Sequence, residues 1–184
     1  RHNTHYGGAK RWADCDGAAG DTTVGGDYAL THIYSTNLGD KLSVPEGHYT
    51  HAKARHTGNL WLRHAKRWRH FDAAASAGVS LTPYGTSALW SLSAGYAPAA
   101  GLRLEAGAWQ SMRLPTFTDL YYTSPAQINN LDLTPEHAVT YRLGVDYLKR
   151  SWNLSAQAYY RSGRDIIDWV WREDMGSKWH SEQT

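Results

Sequence analysis

The fold is decided by two short segments, Leu102-Arg-Leu-Glu-Ala-Gly-Ala108 and Val139-Thr-Tyr-Arg-Leu-Gly-Val-Asp-Tyr147. In both, apolar residues alternate with polar residues or glycine. Successive side chains of a β-strand point to opposite faces, so a period of two indicates strands with one apolar and one polar face. A long segment containing prolines and aromatic residues separates the two strands.

The same alternation extends along the chain and predicts eight strands. They cover residues 3–14, 22–34, 52–63, 68–80, 86–97, 102–113, 137–148 and 152–170. The connections show no helical period, so we expect an all-β fold, an antiparallel up-and-down meander of about eight strands. All six prolines lie outside the predicted strands, as expected for a residue that cannot donate to a β-ladder.

The connections alternate in length, which indicates a particular kind of sheet. Residues 64–67, 98–101 and 149–151 form tight turns, whereas 35–51 and 114–136 are long and polar. Short turns on one rim and long loops on the other are characteristic of bacterial outer-membrane barrels. The chain also has 9 Trp and 12 Tyr but only 2 Phe, a preference that suits a membrane interface. We therefore expect residues 1–184 to be one domain that belongs to a transmembrane β-barrel.

Bulk properties argue against several other classes of protein. The 184 residues carry a formal net charge of +2 and no basic stripe, so no nucleic-acid partner is expected. No run of about 18 apolar residues exists that would form a membrane-spanning helix. The 10 His and the single Cys15 show no metal-binding spacing, and no catalytic triad is readable. We expect no enzyme activity, no cofactor and no metal.

The long loop carries the most specific motif: Ser111-Met-Arg-Leu-Pro-Thr-Phe-Thr-Asp-Leu-Tyr-Tyr122, followed by Asn129-Asn-Leu-Asp-Leu-Thr-Pro-Glu136. It resembles a signature in the barrel of TonB-dependent outer-membrane receptors. Two further segments, Tyr141-Arg-Leu-Gly-Val-Asp-Tyr147 and Tyr159-Tyr-Arg-Ser-Gly-Arg-Asp-Ile-Ile-Asp-Trp169, look like the cobalamin-receptor branch of that family. The resemblance is best over residues 76–171. It implies a parent protein with a plug domain and a larger barrel, of which this chain is an internal fragment.

The resemblance implies transport without covalent chemistry. Loops capture a scarce ligand outside the cell, and the TonB complex then pulls on the plug to open a path. The expected partners are the TonB complex, a small-molecule ligand such as cobalamin or a siderophore, and outer-membrane lipid, and the expected localisation is the bacterial outer membrane. A siderophore or haem receptor is the near alternative. A complete eight-stranded barrel and a soluble carbohydrate-binding β-sandwich also stay open.

The long loop holds the candidate ligand contacts. Aromatic and amide side chains suit a large planar ligand, and the candidates are Phe117, Asp119, Tyr121, Tyr122, Gln127, Asn129 and Asn130. The two tyrosines could equally belong to an aromatic belt at the membrane interface. The resemblance assigns the shaping of the loop base to Arg113, Pro115 and Asp119. It makes Leu120, Pro135 and Glu136, together with Arg113 and Pro115, motif residues with a structural role. For Arg113 we expect a pairing with Asp119 or with a carboxylate on a neighbouring strand.

Overall fold

The computed structural model describes all residues 1–184, and nearly all of its regular structure is β-strand. The elements are β1 (His2–Gly17), β2 (Gly20–Ser35), β3 (Asp40–Glu46), β4 (Tyr49–Arg67), β5 (Phe71–Thr82), β6 (Gly85–Ala99), β7 (Leu102–Arg113), α1 (Phe117–Tyr121), β8 (Gln127–Ile128), β9 (Glu136–Lys149), β10 (Trp152–Arg164), β11 (Ile167–Arg172) and β12 (Lys178–Gln183). No helix has the length and apolar character needed to cross a bilayer.

Eight of these strands form the main sheet in the order β1-β2-β4-β5-β6-β7-β9-β10. Every pairing along this path is antiparallel, so the predicted all-β meander is confirmed. Strands β1 and β10 form its two edges and do not pair with each other. The chain therefore does not close into an eight-stranded barrel by itself, and that alternative is wrong for the structure.

Four details of the predicted strands and turns are wrong. Residues 64–67, predicted as a tight turn, lie within β4, and the strand predicted over 152–170 is broken between β10 and β11. Asp165 lies at this break with φ +57°, a left-handed conformation that ends the ladder. The loop 35–51 contains β3. The predicted all-antiparallel pairing also has one exception, because β12 pairs antiparallel with β11 but parallel with β8.

Two prolines lie inside strands, contrary to the prediction. Pro45 belongs to β3, which pairs only with β4 and in an irregular register around the proline. Pro98 belongs to β6, where the pairing with β7 shifts between Tyr96 and Ala99. Proline is tolerated at both places because an edge strand or a shifted register leaves no ladder hydrogen bond for it to donate.

The register gives the main sheet one apolar face. Leu104 lies opposite Val145, and Leu143 lies opposite both Ala106 and Ala158. The residues that share this face include Val139, Tyr141, Leu143, Val145, Leu154, Ala156 and Ala158, as a period of two along the predicted strands requires. Nothing in the chain covers this face, since Leu143 is 66% and Leu154 is 54% exposed. A soluble sandwich would bury such a face between two sheets, so that alternative does not fit the structure.

The opposite face of the main sheet is polar and ion-paired. Arg103 on β7 contacts Asp72 on β5 at 2.8 Å and Glu105 on its own strand at 2.8 Å. Glu105 also contacts Arg142 on β9 at 3.3 Å. We call this surface the polar face. The loop between β7 and β9 folds back onto one end of it, where the few fully buried side chains of the chain are concentrated.

Candidate functional site

The loop between β7 and β9, residues 114–135, begins with a short helix. Thr116 is the N-cap of α1, and its hydroxyl accepts a hydrogen bond from the backbone N–H of Asp119 at 3.1 Å. The Asp119 carboxylate accepts from the backbone N–H of Thr116 at 2.9 Å in return. This capping box satisfies two backbone donors that would otherwise lack partners at the helix start. The Thr-Phe-Thr-Asp sequence therefore specifies a defined turn of helix inside the loop.

Two apolar clusters hold the loop down. The first joins Phe117 to Ile33 at the end of β2 and to Leu38 in the following loop. The second joins Leu120 and Leu133 of the loop to Ile167 at the start of β11. Tyr121 packs against both clusters. Residues from β2, β11 and both halves of the loop therefore form one small core, which fixes the loop against the sheet.

Cationic side chains of β4 connect this core to the polar face. Arg55 donates to the carbonyl oxygen of Pro115 at 2.7 Å, and its guanidinium lies 4.8 Å from the centre of the Phe117 ring. The ammonium group of Lys53 lies 5.6 Å from the Tyr121 ring. Both geometries are those of cation–π contacts. Burial raises the pKa of the Tyr84 phenol, which packs against the second cluster from the β5–β6 turn.

The base of the loop is fixed by Glu136. Its carboxylate accepts hydrogen bonds from Nε and Nη2 of the Arg113 guanidinium, and one of its oxygens also accepts from the backbone N–H of Ile167 at 2.7 Å. Of the two pairings expected for Arg113, the structure therefore contains the one with a carboxylate on a neighbouring strand. Asp119 serves the helix cap instead. Glu136 thus ties together the ends of β7 and β9 and the start of β11.

The structure separates the predicted ligand contacts into two groups. Phe117 and Asp119 are buried within the loop, as are the motif residues Pro115, Leu120 and Pro135. Tyr121, Tyr122, Gln127, Asn129 and Asn130 are half-buried. Among these five, the two asparagines are engaged within the loop itself.

Each asparagine side chain stabilises a turn. The Asn129 amide donates to the Leu120 carbonyl at 2.6 Å, and Asn130 accepts from the backbone N–H of Asp132 at 2.9 Å. Gln127 forms the two-residue strand β8 with its neighbour, and no hydrogen bond engages its side chain. Gln127 thus has an unengaged side chain, whereas Tyr121 packs against both clusters and Tyr122 against the first, each leaving part of its ring exposed.

Sequence reasoning missed the residues that hold the loop from outside. Ile33, Leu38, Lys53, Arg55 and Tyr84 are separated from the loop by about 30 to 85 positions in the sequence. Alternation identifies the face of the strand residues Ile33, Lys53 and Arg55, but no local pattern predicts that the loop contacts them, or that it contacts Leu38 and Tyr84.

A second recess lies on the polar face, between β7, β9 and β10. It is a cavity of about 840 Å³, and its lining includes Trp109, Arg113, Thr140, Arg142, Tyr159 and Arg161. Three of its side chains are guanidinium groups, although more of its lining surface is apolar than polar. No group of three or more His, Cys, Asp or Glu side chains anywhere in the chain is arranged to hold a metal ion.

These features define a class of protein. The main sheet has one exposed apolar face and one ion-paired face, and a long loop folds onto one end of the ion-paired face. A section of barrel wall has this form. The family model for the β-barrel of TonB-dependent receptor-like proteins matches residues 57–177. The chain belongs to this family, whose members are outer-membrane receptors and transporters rather than enzymes.

Solved structures with the same fold come from siderophore receptors. A variant of the ferric enterobactin receptor PfeA from Pseudomonas aeruginosa is 14% identical with a TM-score of 0.78, covering 99% of this chain and 31% of that one. The siderophore receptor PirA from Acinetobacter baumannii is 14% identical with a TM-score of 0.75, covering 100% and 32%. PirA from Pseudomonas aeruginosa is 12% identical with a TM-score of 0.77, covering 100% and 37%.

The chain thus spans about a third of the length of these receptors. No curated protein is similar enough in sequence to count as a match.

Proposed function

We propose that the protein containing this chain is an outer-membrane receptor that imports a scarce ligand with energy delivered by the TonB complex. Residues 1–184 form one continuous part of its barrel wall in this proposal. The apolar face meets lipid, the polar face lines the interior, and the loop 114–135 lies at the outer mouth. The main support for the proposal is that one face of the sheet is apolar and the other is ion-paired, in a chain of this family.

The position of the aromatic side chains supports this orientation. Trp68, Phe71, Tyr96 and Trp152 are exposed near the tight turns, at one end of the strands. Phe71 and Tyr96 are paired across β5 and β6 on the apolar face. Exposed aromatic residues at one end of the strands are typical of the aromatic belt at a membrane–water interface. The tight turns then face the periplasm, and the loop at the opposite end of the strands faces the outside.

For the cargo we propose a siderophore, in line with what the similar solved receptors bind. The sequence motif favours cobalamin, and this prediction remains to be tested beside the siderophore. Both ligands are large. Both also suit an aromatic contact surface such as that of Tyr121 and Tyr122.

The uptake experiment compares cells that express the full-length protein with and without functional TonB. We expect a radiolabelled ferric siderophore or cobalamin to accumulate only in the cells with TonB, whereas binding to the cell surface persists in both. Equal uptake without TonB, or a protein that fractionates outside the outer membrane, would contradict the proposed function.

Tyr122→Ala in the same cells tests the loop surface. Truncation of a contacting aromatic commonly costs about 1–3 kcal/mol of binding, so we expect roughly 5- to 150-fold weaker ligand binding. Lys149→Ala, at the tight β9–β10 turn, is the matched control and should leave affinity unchanged. Unchanged affinity in both variants would assign Tyr122 to the aromatic belt instead of the ligand site.

A further inference from the structure

We propose that the apolar face of the main sheet contains a binding site for one anionic phospholipid, in a groove between Lys66 at the end of β4 and Leu143 on β9. The inference rests on the proposed function only in placing this face against lipid. It goes beyond that function because it assigns a defined site, with a stated lipid chemistry, to part of this face. The two observations behind it are a groove in the face and an unpaired cation at one end of the groove.

The floor of the groove is a row of alanines across three strands. Ala73 on β5 lies opposite Ala94 on β6, and Ala94 lies opposite Ala106 on β7. Lys66 and Leu143 end the row, because they lie opposite Ala73 and Ala106 respectively. Alanine side chains are short, so a cavity of about 850 Å³ remains above the row. Larger side chains line the same cavity beside the row, among them Trp68, Leu92 and Tyr141.

The groove leads from the rim of the sheet towards the middle of its strands. Lys66 is one residue before Arg67, where β4 ends at the tight β4–β5 turn. Leu143 is six residues before Lys149, where β9 ends at the tight β9–β10 turn. At about 3.3 Å per residue, the Leu143 end of the groove is roughly 16 Å further from the tight turns than the Lys66 end. A lipid with its headgroup beside Lys66 would therefore extend an acyl chain along the groove into the hydrocarbon layer.

Lys66 supplies an uncompensated positive charge at the rim end of the groove. Its ammonium group forms no ion pair within the chain, and the Trp68 ring lies 5.8 Å from it. Strands β4 and β6 contain no acidic residue. The acidic residues of β5, β7 and β9 all lie on the polar face, namely Asp72, Glu105, Glu136 and Asp146. No carboxylate of these five strands therefore neutralises Lys66 on the apolar face.

An anionic phospholipid fits both features. A charge on the lipid-facing side of a barrel is costly unless it reaches the interface, and a lysine does so by extending its ammonium group towards the headgroups. The apolar groove suits an acyl chain, since each methylene group that it buries favours binding. A lipid with net negative charge suits Lys66 better than a zwitterionic lipid, whose own ammonium group competes for the phosphate. The occupant is therefore assigned to the leaflet on the side of the tight turns.

Native mass spectrometry of the full-length receptor tests this site. The receptor, purified in detergent, is titrated with phosphatidylglycerol or with phosphatidylcholine of the same acyl chains, and the bound lipids are counted. We expect the wild type to bind one phosphatidylglycerol molecule in preference to phosphatidylcholine. Lys66→Gln should lower the phosphatidylglycerol affinity about fivefold, which is the effect of one lysine near an anionic lipid surface, and so remove the preference. Ala94→Leu should fill the groove and weaken the binding of both lipids.

Each variant has a matched control. Lys149 is another lysine at the rim with the tight turns, but it does not line the groove. Lys149→Gln should therefore leave the preference for phosphatidylglycerol unchanged. Ala88 lies on the same strand and the same face as Ala94, outside the groove, so Ala88→Leu should leave the binding of both lipids unchanged.

Four results would overturn the lipid site. The first is no preference in the wild type, or an unchanged preference in Lys66→Gln. The second is an equal loss in Lys149→Gln, which would indicate unspecific attraction between the rim and anionic lipid. The third is unchanged binding of both lipids in Ala94→Leu. The fourth is a receptor dimer without bound lipid, which would assign this face to a second copy of the protein. All four would leave the receptor function standing, because TonB-dependent uptake tests that function separately.

Discussion

Leu120→Ala is expected to release the loop 114–135 from the sheet. The Leu120 side chain is 1% exposed and packs against Leu133 and Ile167, so it joins both halves of the loop to β11. Replacing a buried leucine by alanine removes apolar contacts and leaves a cavity, at a cost of about 2–5 kcal/mol. A core of so few residues has little other packing to compensate. Hydrogen–deuterium exchange of peptides covering residues 114–136 should become markedly faster in the full-length protein.

The control for this change lies in the same loop. Leu131 is 61% exposed, so Leu131→Ala makes the same chemical change without opening a core and should leave exchange unaltered. Ligand affinity should fall in Leu120→Ala and not in Leu131→Ala, because the contact surface of Tyr121 depends on the docked loop. Slow exchange in both variants would show that the small core does not hold the loop.

Gly101→Ala is expected to impair assembly of the barrel wall at the tight β6–β7 turn. Gly101 has φ +81°, and a Cβ atom added there would clash with the carbonyl oxygen of Leu148. The Gly101 carbonyl also accepts from the backbone N–H of Leu148 at 2.6 Å, so the turn cannot move away without losing that bond. Left-handed strain alone costs roughly 1–3 kcal/mol, and the clash adds to it.

A second glycine separates the two contributions. Gly47 has φ +58°, but a Cβ atom there would meet nothing within 4 Å. Gly47→Ala therefore carries conformational strain without a clash. We expect the thermal midpoint of the purified protein, and the amount found in the outer membrane, to fall much more for Gly101→Ala. Equal losses in the two variants would mean that the contact with Leu148 is unimportant.

The sheet could be predicted from the sequence because the alternation of apolar and polar residues in a strand is a local pattern. Leu143 and Val145 alternate with Arg142 and Gly144, and this pattern alone determines which side chains share a face. The break at Asp165 was missed because apolar and polar residues alternate before Tyr160 and again from Ile167 to Trp169. Aspartate tolerates the left-handed conformation, so its presence does not by itself predict that conformation.

The candidate site was harder to predict because its contacts are distant in the sequence. Phe117 reads as an exposed loop aromatic, yet Ile33 and Leu38 bury it from more than 75 positions away. Lys53 and Arg55 of β4, which contact the loop, follow the same alternation as the other residues of that strand. The pattern therefore does not distinguish them. Glu136 was expected at the loop base, but its hydrogen bond to the start of β11 depends on a strand break that no pattern indicates.

The central claim is that the apolar face meets lipid and the polar face lines a water-filled interior. Site-directed spin labelling of β10 tests it directly, with the exposed Cys15 replaced by serine. Leu154 and Ser155 are adjacent and both exposed, but they lie on opposite faces of the sheet.

In the full-length receptor reconstituted into bilayers, a label at Leu154→Cys should collide mainly with oxygen, which concentrates in lipid. A label at Ser155→Cys should collide mainly with a water-soluble nickel chelate. The reverse pattern, or equal access of the nickel chelate to both labels, would contradict the assignment of the two faces. It would also contradict the receptor function that rests on this assignment.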